Sequence, residues 1–200
     1  MSDFKRLEKE YAEAKTTLRE ASYYKSEDGE GYMTERTDVL VYNFDKVKQK
    51  YTAQLHKPEK GICSVDAFWP EKTIFIEFKN GKNFGNKELT EKMRDTLLIY
   101  CDLMGTAISE LRESSEFVVV YNEDNKPIRE QEILQEITKD GYLQTSPSRT
   151  RIKEYFLGKA GDELLRWELG FYRGIYFAEV HTFNQRQFEK YLDAKVNEHS

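Results

Sequence analysis

The chain has 200 residues and a mass of 23.7 kDa, enough for one domain with a sizeable core and too little for two full domains joined by a linker. Hydrophobic residues make up 38 % and aromatics 14 %, which argues for a folded chain in spite of 34 % charged residues. With 31 Lys+Arg against 36 Asp+Glu the formal charge is -5, which excludes a protein that coats nucleic acid by bulk positive charge and leaves room for a local basic cleft.

The first residues, MSDFKRLEKEY, are charged from the third position onward and lack the apolar core of a signal peptide. No apolar run exceeds that of Phe117 to Tyr121, which is far short of the roughly 20 residues a membrane-spanning helix needs. The expectation is a cytoplasmic protein with no membrane partner. Phe4, Leu7, Tyr11, Ala14, Leu18 and Ala21 recur at alternating steps of three and four, the stripe of one opening amphipathic helix. Residues 25–36 (KSEDGEGYMTER) carry charges without period and read as a loop. Leu40, Phe44, Val47 and Tyr51 suit a helix within residues 39–55, although Val39 to Tyr42 also suits an extended segment.

Residues 62–69 (ICSVDAFW) and 73–79 (TIFIEFK) are rich in β-branched and aromatic types and flank Pro70-Glu71-Lys72, which predicts a β-hairpin. Leu89, Met93, Leu97, Tyr100 and Met104 predict a helix over 88–104 closed by Gly105. Phe117 to Tyr121 reads as a strand buried on both faces. Beyond it, Ile133, Leu134 and Ile137 suggest a helix, residues 141–151 a polar loop, residues 152–169 one or two helical pieces, and Ile175 to Phe183 a late strand. Asn184 with Gln187 three residues on makes a capping pair for a final helix carrying Phe188, Tyr191 and Leu192. Cys63 and Cys101 form no CxxC pattern and read as packed thiols in a reducing compartment. His56, His181 and His199 show no zinc-ligand spacing.

The hairpin carries the chemistry. A turn symmetric about Glu71 and Lys72 places Trp69 opposite Ile74, Ala67 opposite Ile76 and Val65 opposite Phe78, one apolar side. The other side pairs Phe68 with Phe75, Asp66 with Glu77 and Ser64 with Lys79. A one-residue slip would destroy this match, whereas a three-residue loop would move the two carboxylates to a diagonal. Directly opposed like charges are destabilising, so a divalent cation, a lysine such as Lys79, or protonation of one acid must compensate. Glu77 and Lys79 stand two apart on a strand and leave the same face. Phosphodiester hydrolysis needs this set: acids to hold a metal against the phosphate, and a cation to orient water or stabilise the charge that develops.

Asp66 followed by Glu77-Phe78-Lys79 on a hairpin, with an amphipathic helix before it and helix 88–104 and strand 117–121 after it, resembles the PD-(D/E)XK nuclease superfamily, the restriction-endonuclease-like fold. The resemblance covers roughly the first 120 residues, and Val65 stands where that motif has its proline. It implies a single α/β domain over residues 1–200, with a mixed central sheet flanked by helices, a core in about 1–121 and a C-terminal elaboration over 122–200 ending in a strand and helix. It further implies a metal-dependent nuclease of DNA or RNA, of the kind found in restriction, repair and defence. Asp66, Glu77 and the carbonyl of Phe78 would ligate Mg2+ or Mn2+, and Lys79 would assist the nucleophile. Many members add an acid from the first helix, for which Glu20 is the candidate and Glu10 the rival.

Three weaker features accompany the motif. Lys87, Glu91, Lys92 and Arg94 of helix 88–104 either reach a backbone phosphate or form a solvated face. The basic stretches Lys46, Lys48, Lys50, His56, Lys57, Lys60 and Arg149, Arg151, Lys153, Lys159 either line a phosphate-binding cleft or serve solubility. No GxxxxGK[ST] loop and no GxSxG elbow appears, which argues against nucleotide-triphosphate hydrolysis and acyl transfer. The alternatives to a nuclease are the same fold without turnover, acting as a binding, regulatory or immunity module with a protein partner, and a mere ion-pair network on a hairpin edge.

Overall fold

The computed structural model describes residues 4–27, 29–127 and 165–198. In chain order it contains α1 (Lys5–Glu10), β1 (Lys15–Thr17), α2 (Leu18–Ala21), β2 (Tyr23–Ser26), β3 (Gly29–Tyr32), β4 (Leu40–Asn43), α3 (Phe44–Gln54), β5 (Ala67–Trp69) and β6 (Ile74–Lys79). Then follow α4 (Asn86–Met104), α5 (Ile108–Ser114), β7 (Glu116–Tyr121), β8 (Glu179–Asn184) and α6 (Gln185–Asn197). Six strands form one mixed sheet in the order β1-β4-β5-β6-β7-β8, and β2 with β3 forms a separate two-stranded ribbon. From β1 to β6 the pairing is antiparallel; β6, β7 and β8 run parallel. This is a mixed α/β architecture.

Parallel strands need a crossover between them, and a crossover helix buries one face of the sheet. Here α4 leaves the end of β6 and α5 leads into β7. Leu89, Met93, Leu97, Tyr100 and Leu103 of α4 join Leu7 of α1, Phe44 and Val47 of α3, and Phe68, Phe75, Phe117 and Val119 of the sheet in one core. The other face packs Ala67, Trp69, Ile74, Ile76, Val118 and Val120 against Leu18 and Ala21 of α2 and Phe188 and Leu192 of α6. The sheet is therefore buried on both faces, and alternate residues of β6 feed alternate cores.

Several expectations hold in the structure. The hairpin register is the expected one, with Ala67 opposite Ile76, Phe68 opposite Phe75 and Trp69 opposite Ile74. α4 ends at Gly105, whose left-handed conformation (φ 62°) lets its N–H reach the carbonyl of Cys101. Asn184 accepts from Gln187 N–H at 2.8 Å while the Gln187 side chain accepts from Asn184 N–H at 3.0 Å, the reciprocal cap of α6. The segment at 39–55 resolves into both of its readings, strand β4 and then helix α3.

Others are corrected. The N-terminal stripe is not one helix: the β-branched Thr16 and Thr17 extend as β1 against β4, and Thr17 then caps α2 by accepting the Glu20 N–H at 3.2 Å. Its apolar residues from Leu7 onward are all buried, but Leu7, Tyr11 and Ala14 enter one core and Leu18 and Ala21 the other. Half of the loop expected over 25–36 is paired instead, Lys25 and Ser26 in β2 and Gly29 to Tyr32 in β3. Helix α5, with Leu111 alone buried, had no detectable stripe. β8 starts at Glu179 rather than Ile175, because a turn with Gly174 in the left-handed region precedes it. The helix at 133–137, the loop at 141–151 and most of the pieces at 152–169 lie outside the described residues; of these, Leu169 opens a short 3-10 turn. Among the described residues no helix is long and apolar enough to cross a membrane.

Candidate functional site

Strand alternation decides where the charges of β6 go. Phe75, Glu77 and Lys79 leave the face that packs under α4, so Glu77 follows Phe75 into the protein and its side chain is 0 % exposed. Across the ladder Glu77 lies level with Val119 and Lys79 with Tyr121, on a strand buried along its length. An ionised carboxylate in such surroundings requires nearby positive charge. Two ammonium groups supply it: Lys79 Nζ lies 2.9 Å and Lys92 Nζ 2.7 Å from Glu77 Oε1. Neither Glu77 oxygen makes a hydrogen bond of ordinary geometry, and Oε2 is buried with no partner.

Asp66 departs from the expected arrangement in an instructive way. β5 begins only at Ala67, so Asp66 sits just beyond the last ladder pair with Ile76. Its Oδ2 accepts the Phe78 N–H at 2.6 Å, a side chain taking the place of the missing backbone partner. The chain before it leaves the sheet: Val65 N–H donates to Thr96 Oγ1 at 3.0 Å, Val65 packs in the core under α4 rather than opposite Phe78, and the Ser64 hydroxyl donates to Asp45 at 2.5 Å rather than meeting Lys79. Asp66 nevertheless stays next to Glu77. Desolvation first, and the Glu77 charge second, push its carboxyl up to about 8, against the opposing pull of Lys92 and the Phe78 N–H.

The two lysines differ. Lys79 is shared between Glu77 and Glu88, with which it makes a short ion pair. Burial disfavours its charge, but Glu77 and Glu88 outweigh burial and the neighbouring Lys92, and its pKa is raised. Lys92 comes from α4 and reaches both acids, 2.7 Å from Glu77 and 3.9 Å from Asp66 Oδ1. Burial again opposes the charge, and Glu77 and then Asp66 more than restore it. Glu88 and Lys92 stand one helical turn apart beside the buried Leu89 and Met93, which is the signal that could have singled them out.

The structure thus brings together Asp66, Glu77, Phe78 and Lys79 and adds Lys92 and Glu88. It does not bring Glu20 to them: α2 packs on the opposite face of the sheet, and the Glu20 carboxylate pairs with Arg19 at 3.0 Å. Glu10 belongs to the helix on the α4 side, with its carboxylate 3.5 Å from Arg6. In the basic stretch 46–60, Lys48 pairs with Asp45 and Glu59 and Lys50 with Glu13; Arg149, Arg151, Lys153 and Lys159 lie outside the described residues. Lys87 faces Glu91 at 3.9 Å on the surface, and Arg94 lies 6.0 Å over the Tyr172 ring.

Among the described residues no group of three or more His, Cys, Asp or Glu is arranged to hold a metal ion. Two carboxylates remain, and Mg2+ is commonly held by one or two carboxylates with water and substrate phosphate completing its octahedron. The unpartnered Glu77 Oε2 and the Asp66 carboxyl, whose anionic form burial and Glu77 disfavour, leave oxygen atoms that such a cation could take. A recess of about 580 Å³, lined by Phe84, Asn86, Lys87, Glu88, Glu91 and Lys126, opens beside it and shares Glu88 with the Lys79 ion pair. It lies at the carboxyl end of β6, where ligands enter open α/β sheets. No protein-family model, no curated protein and no solved structure matches the chain.

Proposed function

We propose that the chain is a metal-dependent phosphodiesterase of the restriction-endonuclease-like kind that hydrolyses DNA or RNA, with Asp66 and Glu77 holding Mg2+ or Mn2+. One observation carries the reading: Glu77, fully buried on a sheet strand, has its Oε2 without a partner and lies beside a second carboxyl whose pKa is raised to about 8. A closed ion-pair network would satisfy both Glu77 oxygens; here Oε2 is left open to a further cation. The order hairpin, helix α4 and parallel strand β7 supports the same reading.

Each residue then has a definite task. Glu77 is fixed by its strand, and the Phe78 N–H fixes the carboxylate of Asp66, so the two acids are oriented before any ligand arrives. The Phe78 carbonyl is the further ligand that the family resemblance assigns. Lys79, with its pKa raised, stays protonated and so cannot take a proton from water; it donates hydrogen bonds to the water or to the phosphate oxygen on which charge develops. The metal would polarise the phosphoryl oxygen and lower the pKa of bound water. With Glu20 on the other face, the remaining ligand positions fall to water and the phosphate itself. The two free, part-buried thiols Cys63 and Cys101 suit a cytoplasmic location.

A second reading, the same fold without turnover serving as a binding or immunity module, is favoured by the two lysines that already stand against Glu77 Oε1 and supply positive charge without a metal. Cleavage of labelled single- and double-stranded DNA and RNA in Mg2+, Mn2+ or EDTA separates the two. Metal-dependent cutting that Glu77→Ala and Lys79→Ala both abolish is the expected result. No cutting of any substrate, with no metal-induced rise in melting temperature, overturns the nuclease reading and leaves the binding module.

A further inference from the structure

The two lysines that neutralise the acid pair are held differently. Lys79 is anchored from two sides, by Glu77 and by Glu88, and 13 % of its side chain is exposed. Lys92 has Glu77 and Asp66 as its ion-pair partners among the described residues, and 20 % of its side chain is exposed. Its ammonium therefore stands at the point that a cation shared by Glu77 and Asp66 would take, 2.7 Å from one and 3.9 Å from the other. It reaches that point on four flexible methylenes from α4, a helix of 19 residues whose own position is fixed by its buried stripe.

Charge makes joint occupancy unfavourable. Asp66, Glu77 and Glu88 against Lys79 and Lys92 sum formally to one negative charge, and a divalent ion added to them would leave an uncompensated positive charge beside a fully buried residue. One ammonium has to leave, and Lys92 is the one whose partners would be satisfied by the metal. Lys79 would keep Glu88 in either state.

We propose that Lys92 is a displaceable occupant of the cation position: in the metal-free protein its ammonium sits with Glu77 and Asp66, and a divalent metal binds by exchanging with it. The inference rests on the reading of Asp66 and Glu77 as a metal site and adds a built-in competitor that lowers the apparent metal affinity by the fraction of molecules in which Lys92 holds the acids. The exchange also frees an ammonium at the mouth of the site at the moment the metal enters.

The test is Mn2+ binding by calorimetry to the metal-free full-length chain, comparing wild type with Lys92→Met, Lys92→Arg and Glu77→Gln. Methionine keeps an unbranched stem of similar length without the charge, and arginine keeps the charge. The expected result is binding at least about tenfold tighter in Lys92→Met than in wild type, as for a competitor that holds the acids nine-tenths of the time, near-wild-type binding in Lys92→Arg, and binding lost in Glu77→Gln. A wild type that binds Mn2+ through Glu77, with Lys92→Met no tighter, overturns the exchange and leaves the metal site standing. No binding by either wild type or Lys92→Met overturns both.

A second measurement needs no variant to fold. In wild type, the side-chain ammonium resonance of Lys92 should move toward its solvent-exposed position during a Mg2+ titration while that of Lys79 moves less. Mg2+ binding that leaves Lys92 in place overturns the exchange.

Discussion

The Asp66 carboxylate takes the Phe78 N–H at 2.6 Å, one residue beyond the last ladder pair of the hairpin. This single bond both finishes the strand pairing and aims one of the two site acids. The two roles can be separated. Asp66→Ala leaves the Phe78 N–H without its acceptor and should lower stability by about 1 to 3 kcal/mol in chemical denaturation. Asp66→Asn retains an oxygen in the same place and, like the raised Asp66 carboxyl, is neutral beside Glu77 near pH 7, so its stability should stay within about 1 kcal/mol of wild type. Both should weaken Mn2+ binding. Equal destabilisation by the two changes would refute the backbone role.

Glu77 faces two ammonium groups at 2.9 and 2.7 Å from a position with no exposure. Glu77→Gln leaves both without their shared counter-charge and should cost about 3 to 5 kcal/mol in metal-free buffer. Adding Lys92→Met should recover about 0.5 to 3 kcal/mol of that loss, because the second change removes one orphaned cation. Strictly additive losses in this double-mutant cycle would show that the two side chains do not interact.

At the other end of the sheet Glu116 accepts from Tyr191 at 2.5 Å and Lys195 at 2.6 Å, with His181 Nε2 3.5 Å away. Burial pushes its carboxyl upward, but the bonds from His181, Lys195 and Tyr191 outweigh that and hold it at about 2, below the ordinary 4.5. A depressed folded-state pKa gives stability that is fully present above about pH 4.5 and is lost as the pH falls from there toward 2. Allowing for solvent screening, about 1 to 2 kcal/mol should disappear across that window. Denaturation curves of Glu116→Gln should be flatter than wild type over the same range, and an unchanged slope would assign the acid sensitivity elsewhere.

Gly105 closes the helix that carries Lys92 with φ at 62°, and a Cβ added there would meet nothing within 4 Å. Any loss in Gly105→Ala is therefore backbone strain rather than a clash. It should amount to about 1 to 2 kcal/mol, with a fall in Tm of about 2 to 4 °C per kcal/mol for a chain of this size. Gly105→Asn should lose less, since asparagine tolerates the left-handed region.

Local pattern made much of the sheet readable. Alternation along 74–79 predicts which residues of β6 share a face, and matching it to Ala67, Phe68 and Trp69 predicts the register found. The same rule brought Glu77 and Lys79 to one side and Asp66 near them. Its failures have a common cause. The departure of Val65 from the ladder is imposed by Thr96, and the break of the N-terminal stripe by pairing with β4, both contacts with residues distant in sequence. Lys92 is harder still: on a helix rich in charges its ammonium looks like its neighbours Lys87 and Arg94, and only the crossover geometry aims it at Glu77 while they meet Glu91 and Tyr172. A solvated charge and a buried counter-ion are the same letter in the sequence.

The N-terminal segment passes around the rim of the sheet, giving Leu7 and Tyr11 to one core and Leu18 and Ala21 to the other, with the three residues of β1 between them. Among the described residues that strand is also the terminal one on its side. A row of free backbone groups so short, opening on Lys15 and turning at once into α2, gives another chain almost nothing to extend. The segment that locks both layers together thus also protects this border against edge-to-edge aggregation.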